Sequence, residues 1–461
     1  MNIIPDKRLL FFFGAICFPF SLLAVAVPEY GTVAYGVIAL FFITVILDGI
    51  LSVGAFDNIE VVFPDIVRMS KGRLADFQIV IKSEKADNRE VKVGIAFPES
   101  VFSEEYEFSV PVLYPENGTF AWPVVGLKQG QYILDKCYLE KKSVFGFWLQ
   151  RAARAIHCEF RIYPDLFSEQ KALAAIFKNN GMGQHIQKFV GKGREFEKLR
   201  EYVPGDSYED IHWKATAKRG VPVSKVYQVE RTQDIYLMID ASRMSARNAG
   251  IYNRGVLHDE KRGGGGNGPA FSGDTILDRY ITASLTLGLA AEKQGDNFGV
   301  GIFSDHVSRF MKAKSGKVHF NACRDMMYTV SPHRVSPDYS EFFTFLGTRI
   351  RKRSLMIVLT SLDDPVLSEN FLENVSMLSR RHLVLVCMLK PAIANPLFAS
   401  ENVASVNDIY QNLAGHSLWS TLRETERNLY RHGIGFCLLR NDQMSLQLIS
   451  RYVDIKQRQL I

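Results

Sequence analysis

The sequence Ile235-Tyr-Leu-Met-Ile239 is a short run that is apolar at every position, and the polar segment Asp240-Ala-Ser242 follows it directly. Such a run is typical of a strand buried on both faces of a sheet, because an exposed face would bring in polar residues at alternate positions. Helices that cross between parallel strands cover both faces of such a sheet. The run therefore predicts an α/β sheet, with Asp240 at the carboxyl end of its first strand.

The C-terminal half of the chain alternates apolar runs with helical patterns. Further strands are predicted over residues 298–303, 355–359, 382–389 and 434–439, and helices over 275–293, 339–352, 367–379, 417–430 and 443–452. Strands and helices that alternate in this way form an open, mostly parallel sheet covered on both faces. We assign residues 231–461 to this α/β domain.

The segment before the α/β domain has the pattern of a β domain. Segments such as Phe77–Lys82 and Val91–Phe97 alternate apolar and polar residues, as half-buried strands do, and turn signals separate them. We find no long helical pattern between them. Residues 54–165 are therefore predicted to form a small β-sandwich, and residues 166–230 a connector to the α/β domain.

Two apolar runs at the N-terminus predict a transmembrane helical hairpin in residues 1–53. No Lys or Arg occurs between Arg8 and Arg68, and the runs cover about residues 9–27 and 33–53 of that interval. Each run approaches the ~20 residues that a helix needs to cross the hydrocarbon core. The short turn Pro28–Gly31 between them makes the two helices antiparallel neighbours.

The charges beside the hairpin predict its orientation. Lys7 and Arg8 precede the first span, Arg68 and Lys71 follow the second, and the turn carries no positive charge. Positive residues stay on the cytoplasmic side, so both ends of the hairpin and the bulk of the chain are expected there. One alternative stays open: the first run resembles a signal peptide with Ala24-Val-Ala26 at its cleavage site, which would leave the second span in place.

Composition excludes several classes of function. The formal net charge is +6 over 461 residues, which is too weak to argue for nucleic-acid binding. Six cysteines without a CxxC pair exclude a disulfide-scaffolded mini-domain. The Gly-rich run at 262–269 lacks the Gly-Lys-Ser/Thr of a phosphate-binding loop, and we interpret it as a flexible surface insertion.

The loop that begins at Asp240 offers oxygen ligands at an edge where ligands gather in open α/β sheets. An Asp-x-Ser-x-Ser loop supplies one carboxylate and two hydroxyls, which suit magnesium. The pattern resembles the metal-ion-dependent adhesion site of von Willebrand factor A domains. Asp240 and Ser242 match it, whereas Met244 stands in the third position and the hydroxyl is displaced to Ser245.

Two later loops would complete such a site. Asp363 follows the strand at 355–359, where the third loop of an adhesion site has its Asp, and Asp338 stands where the second loop has a Thr. We therefore predict Asp240, Ser242 and Asp363 as metal ligands that bind Mg²⁺ weakly at most, because a thioether is a poor magnesium ligand. Met244→Ser is expected to strengthen binding. The alternative is that Asp240 only caps the turn after its strand.

The most distinctive segment precedes the sheet and reads Gly193-Arg-Glu-Phe-Glu-Lys-Leu-Arg-Glu-Tyr-Val-Pro-Gly-Asp206, followed by Ile211-His-Trp213. We predict that it is a salt-bridged brace between the domains or a docking surface for a partner. Its candidate residues are Glu195, Phe196, Arg200, Tyr202, Pro204, Gly205, Asp206 and Trp213. Asp206 and Glu209 have capping-box spacing and predict a helix that ends before Gly220.

This segment resembles the bacterial "domain of unknown function 58" family. Family members carry this Gly-x-Glu-Phe-x-x-Leu-Arg-x-Tyr-x-Pro-Gly-Asp core, an Ile-x-Trp helix, and a von Willebrand A-like sheet that opens with Asp-x-Ser. The two N-terminal spans and the C-terminal Arg451-Tyr-Val-Asp-Ile-Lys456 also look like the family. Met244 departs from the usual Ser, which weakens the expectation of metal binding.

The resemblance implies a non-enzymatic adaptor anchored in the bacterial inner membrane. Its implied partner is a MoxR-type AAA+ ATPase that acts in the assembly or maturation of other proteins. The chain has no nucleotide-binding loop, so ATP hydrolysis would come from that partner. The alternative is a magnesium-dependent hydrolase that uses Asp240, Asp338 and Asp363, although we find no Gly-x-Ser-x-Gly or His-Glu-x-x-His segment.

Overall fold

A computed structural model describes residues 2–54, 56, 59–83, 90–111, 118–167, 169, 174, 190–204, 206–228, 232–249, 274–397 and 405–458. The described chain divides into two compact units, one that ends at Asp165 and one that begins at Leu166. The predicted Gly-rich insertion at 262–269 lies outside the described residues.

The first unit begins with the two predicted apolar helices. Helix α1 spans Lys7–Ala26, a 3-10 turn spans Pro28–Tyr30, and helix α2 spans Gly31–Leu51. Asp6 caps α1, since its carboxylate accepts a hydrogen bond of 2.8 Å from the backbone N–H of Lys7. Both helices are long and apolar enough to cross a membrane, by length and composition. The predicted pair of N-terminal apolar helices is confirmed.

The rest of the first unit consists of two sheets. Their strands are β1 (Asn2–Pro5), β2 (Ile59–Val62), β3 (Ile66–Ser70), β4 (Leu74–Ser83), β5 (Glu90–Ile95), β6 (Val101–Phe102), β7 (Glu107–Pro111), β8 (Gly118–Gly126), β9 (Gly130–Lys142) and β10 (Trp148–Tyr163). One sheet has the order β1-β10-β9-β5-β7, with β3 also paired to β10, and the other has the order β2-β4-β8-β6.

Both sheets contribute to one hydrophobic cluster. Phe77 and Trp122 from β4 and β8 lie near Phe160 from β10, and the rings of Phe77 and Phe160 are 5.5 Å apart. Buried and more accessible positions alternate along β5, as the sequence pattern predicts. The residue boundaries of this domain and its assignment as a β-sandwich stay predictions.

The second unit is built on the predicted open sheet. Its strands are β13 (Asp234–Asp240), β14 (Asn297–Phe303), β15 (Val307–Lys314), β16 (Leu355–Leu359), β17 (Leu383–Leu389) and β18 (Gly435–Leu439), in the order β15-β14-β13-β16-β17-β18. All neighbouring pairs are parallel except β14 and β15. The predicted α/β class is confirmed.

Helices surround this sheet, and all but the one at 317–327 lie in intervals that the sequence indicates. They are α4 (Ile276–Lys293), α5 (Lys317–Met327), α6 (Tyr339–Arg349), α7 (Pro365–Ser379), α8 (Val406–Arg431) and α9 (Met444–Gln457), while α3 (Trp213–Arg219) precedes the sheet. Ile235, Leu237 and Ile239 belong to one buried cluster, and Tyr236 and Met238 to another. The first strand is therefore buried on both faces, as its apolar run predicts.

The chain order reverses at β13, which places its carboxyl end at a switch point of the sheet. The next strand along the chain, β14, pairs with one side of β13, whereas β16 pairs with the other. Ligand crevices of open α/β sheets lie beyond the strand ends at such a point. Asp240 is the last residue of β13 and therefore lies at the edge where a ligand crevice is expected.

Candidate functional site

Asp240 lies wholly buried at the end of β13, and both of its carboxylate oxygens accept hydrogen bonds. Oδ1 accepts from the backbone N–H of Ser242 at 2.8 Å, and Oδ2 accepts from the hydroxyl of Thr360 at 2.6 Å. The hydroxyl oxygens of Tyr339 and Thr360 are 3.0 Å apart. The carboxylate is therefore held inside the protein by groups of neighbouring loops.

Burial dominates the electrostatics of this carboxylate. It raises the pKa of Asp240, while the hydrogen bonds from Ser242 and Thr360 and the charge of Arg247 lower that pKa. Burial also raises the pKa of the Tyr339 hydroxyl well above its ordinary value. The phenol consequently stays a neutral hydrogen-bonding partner beside the buried carboxylate.

The loop after Asp240 closes on itself through short-range hydrogen bonds. The hydroxyl of Ser242 accepts from the backbone N–H of Met244 at 3.3 Å, and the hydroxyl of Ser245 donates to the carbonyl of Ser242 at 2.9 Å. Both hydroxyls are buried with their residues. The hydroxyls expected as ligands thus stabilise the turn itself.

Arg247 links this loop to the loop after β16. Its Nη1 lies 2.5 Å from Oδ2 of Asp363, its Nη2 donates to Oδ1 at 3.1 Å, and its Nε donates to the carbonyl of Met244 at 2.9 Å. A bidentate pair of this kind combines charge with fixed geometry. Asp363, a predicted metal ligand, is therefore paired with a cation of the chain itself.

Asp338 has a helix-capping role in the structure. Its Oδ1 accepts from the backbone N–H of Glu341 at 3.0 Å, at the start of α6. The neighbouring Ser336 hydroxyl accepts from Nε of Arg243 at 3.0 Å, and the backbone N–H of Arg243 donates to the carbonyl of Val335 at 2.9 Å. Arg243 thereby connects the loop after β13 to the loop before α6.

An open cleft of about 430 Å³ lies at this edge of the sheet, and its lining residues are Arg243, Met244, Arg247, Asp363 and Asp364. Arg243 is exposed, whereas Met244 is buried. The carboxylate of Asp364 caps α7 by accepting from the backbone N–H of Val366 at 3.0 Å. The cleft is therefore lined by two guanidinium groups and by two carboxylates that already have partners within the protein.

The arrangement of these donors does not fit a divalent cation. Asp240 uses both oxygens within the protein, Ser242 accepts from a backbone N–H, and Arg247 binds Asp363. Among the residues that the structure describes, no three His, Cys, Asp or Glu side chains are placed to hold a metal ion. The structure brings Asp240 and Asp363 to one edge, but other groups of the protein already bind their carboxylate oxygens.

The distinctive segment before the sheet forms a hairpin followed by a short helix. Strand β11 (Val190–Glu201) pairs antiparallel with β12 (Val223–Gln228). Nη2 of Arg200 lies 2.6 Å from Oδ1 of Asp206, and the rings of Tyr202 and Tyr208 stack 5.9 Å apart. Both contacts lie within the segment and stabilise its turn.

The prediction of a helix that starts at Asp206 is wrong. The Asp206 carboxylate instead accepts from the backbone N–H of Val203, a bond that lowers the pKa of Asp206 together with the charge of Arg200. Helix α3 begins only at Trp213, where His212 is the cap and its Nδ1 accepts from the N–H of Ala215 at 3.0 Å. A carboxylate bound within its own turn is not available to cap a helix.

Two aromatic residues of this segment lie at the surface. Trp213 is 69% exposed and Tyr208 is 76% exposed. Pro204 is also exposed, and Gly205 lies outside the described residues. Glu195 and Phe196 belong to β11, whose pairing places them opposite the end of β12. The structure thus assigns surface positions to the rings of Tyr208 and Trp213.

The C-terminal part of the family pattern has a structural role. The hydroxyl of Tyr452 donates to the buried carboxylate of Asp296, and Nζ of Lys456 lies 2.6 Å from the same carboxylate. Asp296 Oδ1 also accepts from the backbone N–H of Gln233 at 3.1 Å, just before β13. These bonds hold α9 against the amino ends of the strands.

Arg247 and Thr360 are the site residues that the sequence pattern missed. Thr360 follows β16 directly, so its place at a strand end was a usable signal. Arg247 lies only three residues beyond Met244 in the same loop, but its partner Asp363 is 116 positions away. A pairing over that separation leaves no local pattern in the sequence.

Comparison with known families supports the predicted resemblance. A family model described as "Protein of unknown function DUF58" matches residues 198–253 and 274–395. The matched residues include Arg200, Trp213, Asp240 and Asp363, so the resemblance that the motif predicts is confirmed. No curated protein matches the chain.

Several solved structures are similar to the chain at low identity. An aerotolerance-related membrane protein from Bacteroides fragilis NCTC 9343, crystallised with multiple mutations to serines, is 12% identical over 48% of this chain and 98% of its own, with a TM-score of 0.30. The conserved hypothetical protein BatB from Bacteroides thetaiotaomicron is 13% identical over 48% and 98%, with a TM-score of 0.28. The SpRpn10 VWA domain is 8% identical over 48% and 95%, with a TM-score of 0.27. Likeness at this level carries no information about function.

Proposed function

Since the chain carries a DUF58 region, we propose that it is a membrane-anchored protein-interaction module. In this proposal the hairpin crosses the inner membrane twice and the bulk of the chain lies in the cytoplasm. The module works as an adaptor with a MoxR-type AAA+ ATPase in the assembly or maturation of other proteins. The family resemblance supports the choice of partner.

The observation that carries the proposal is the exposed aromatic surface of the motif, defined by Tyr208 and Trp213. Both residues lie within the matched region and are more than two-thirds exposed. Trp and Tyr are enriched among the residues that contribute most to binding between proteins. Exposed rings held by a locally fixed turn are better suited to docking than to bracing one domain on another.

The surroundings of this surface add charge. Lys214, Lys218 and Arg219 on α3 are exposed, and Glu209 lies in the turn before it. Mixed charge around exposed aromatic residues is typical of the rim of an interface. A partner surface with an apolar pocket and acidic residues around it would complement this helix.

The hydrolase alternative has less support. It requires Asp240, Asp338 and Asp363 as free carboxylates around a metal, yet Asp338 caps α6 and Asp363 binds Arg247. Asp240 is buried with both oxygens bonded. Carboxylates used in this way favour a binding role for the edge over a catalytic one.

Affinity capture with the detergent-solubilised full chain tests the proposal. We expect an AAA+ ATPase among the captured proteins, and we expect Trp213→Ala to reduce its recovery by about tenfold or more, a loss typical of a central aromatic contact. Tyr410→Ala is the matched control, because Tyr410 is a ring 67% exposed on α8, outside the motif.

Equal recovery with wild type and Trp213→Ala would contradict the docking surface. Capture of no ATPase by any variant would contradict the proposed partner. A magnesium-dependent hydrolytic activity lost in Asp240→Asn would instead favour the hydrolase alternative.

A further inference from the structure

The edge of the sheet at Asp240 contains a cation that belongs to the chain. The guanidinium of Arg247 binds Asp363 through two nitrogens and the carbonyl of Met244 through a third. Asp363 is only 13% exposed in its side chain, and that of Arg247 is 33% exposed. A partly buried carboxylate with a bidentate guanidinium is already neutralised and hydrogen-bonded.

The two arginines of this loop connect the same segments that a metal ion would connect in a complete adhesion site. Arg247 joins the loop after β13 to the loop after β16. Arg243 joins it to the loop before α6 through Ser336 and Val335. The two guanidinium groups therefore connect three loops through hydrogen bonds and an ion pair. These contacts require no bound metal ion.

We propose that Arg247 replaces the divalent cation at this edge, so that the loops after β13 and β16 are held together without a bound metal ion. This inference rests on the contacts of Arg247 and does not depend on the proposed function.

Removal of Arg247 would change the balance of charge at this edge. Without the guanidinium, Asp363 becomes a partly buried carboxylate without its counter-charge, next to the loop that holds Asp240 and Ser242. Such oxygens attract a hard divalent cation. Loss of one arginine is therefore expected to create a cation site that the wild-type chain lacks.

Titration of the full-length, detergent-solubilised chain with Mn²⁺ and with Mg²⁺, followed by calorimetry, tests this expectation. We expect no site-specific binding by wild type and saturable binding by Arg247→Ala, at least about tenfold tighter than any weak binding that wild type shows. Arg243→Ala is the matched control, because it removes a neighbouring arginine that binds Ser336 rather than Asp363, and it is expected to gain no ion binding.

Two further variants locate the created site. The double variant Arg247→Ala with Asp363→Asn is expected to lose the gained binding. Met244→Ser alone, which restores the missing hydroxyl, is expected to gain nothing while Arg247 is present, although the sequence pattern by itself predicts a gain. Circular dichroism and thermal unfolding check that each variant is folded. If Arg247→Ala does not fold, Arg247→Lys takes its place. Because lysine keeps the positive charge, Arg247→Lys is expected to bind no ion.

Three results would overturn the inference. One is tight Mg²⁺ binding by wild type that Asp240→Asn abolishes, another is no gain of binding by folded Arg247→Ala, and the third is ion binding by Arg247→Lys. Failure to capture any partner would count against the proposed function but leaves the ion titration decisive for Arg247.

Discussion

At the scale of single residues, Asp240 combines an ionisable group with complete burial. Its carboxylate receives hydrogen bonds from Ser242 and Thr360, but burial still raises its pKa. Ionisation is therefore easier in the unfolded chain, where the pKa is near its usual 3.8. The contribution of Asp240 to the free energy of unfolding therefore falls as pH rises from that value through the raised pKa of the folded state, and it stays constant above it.

Asp240→Asn tests this linkage, because the amide does not titrate. Relative to wild type, we expect the variant to become more stable as pH rises from about the usual carboxyl pKa to neutrality. The substitution also lowers the free energy of unfolding by about 1 kcal/mol at every pH, because the amide is a poorer acceptor for one of the two hydrogen bonds. Denaturant unfolding in detergent across this pH range measures the difference.

Asp135→Asn is the control for this prediction, because Asp135 is exposed on β9. This variant makes the same change of side chain at an exposed position. A pH-independent difference between Asp240→Asn and wild type would contradict the raised pKa of the buried carboxylate.

The residues of the candidate site were only partly predictable from sequence. Asp240 and Asp363 follow apolar strand runs directly, and parallel strands bring such positions to one edge, so their grouping could be predicted. Their engagement by Thr360 and Arg247 could not, because a hydrogen bond between distant loops has no sequence period. Asp338 differs, because its bond to the N–H of Glu341 is local and its position directly before α6 is compatible with a helix cap as well as with a site residue.

At the scale of elements, the main strands and helices could be predicted because each has a strong apolar period. The run at 355–359 gives β16 at those residues, and helix α4 begins one residue after the predicted start. Strand β15 and helix α5 were missed. Strand β15 is an antiparallel edge strand with a largely exposed or half-buried pattern, so its sequence has few apolar residues to mark it.

Helix α2 contains one charged residue, Asp48, which interrupts its apolar sequence. Asp48 is buried, and its carboxylate accepts from the hydroxyl of Ser143 at 2.5 Å and from the backbone N–H groups of Phe145 at 2.9 Å and Phe147 at 3.3 Å. One turn earlier, the carbonyl of Val45 accepts from Nε1 of Trp148 at 2.9 Å. These bonds attach the end of the hairpin to the turn between β9 and β10.

Asp48→Ala is expected to loosen this attachment. It leaves three donors without their acceptor, which costs roughly 1–3 kcal/mol for each donor that stays buried. We expect faster hydrogen exchange at the amides of Phe145 and Phe147, measured by mass spectrometry in detergent, with little change on the far strand β2.

Thr44→Ala is the matched control, since Thr44 lies one turn earlier on α2 and its hydroxyl donates only to the carbonyl of Leu40 within the helix. Unchanged exchange in Asp48→Ala, or an equal increase in Thr44→Ala, would contradict the attachment.

At the scale of the whole molecule, the two ends of the hairpin meet the same turn of the β domain. The backbone N–H of Asp6, before α1, donates to the carbonyl of Phe147 at 2.9 Å, and Asp48 near the end of α2 binds Phe145 and Phe147. Strand β1 also pairs with the start of β10. Both ends of the hairpin are therefore on one side of the membrane if the helices cross it.

The flanking charges predict which side that is. Lys7 and Arg8 lie at one end of the hairpin and Arg68 follows the other, so the positive-inside rule predicts that both ends lie in the cytoplasm. We expect added protease to digest residues beyond 60 in inverted inner-membrane vesicles and to leave them intact in spheroplasts. Detergent-treated spheroplasts are the control, because the protease must digest the chain once the membrane is dissolved.

The mass of the membrane-protected fragment separates the hairpin from a cleaved signal peptide. An uncleaved hairpin leaves a fragment that contains both α1 and α2, whereas cleavage after Ala26 leaves α2 alone. We expect the two-helix fragment, because β1 and Asp6, which precede α1, are bonded to the β domain in the folded chain. A fragment that begins at Val27 would show that those bonds are absent from the mature protein, and digestion in intact spheroplasts would reverse the orientation.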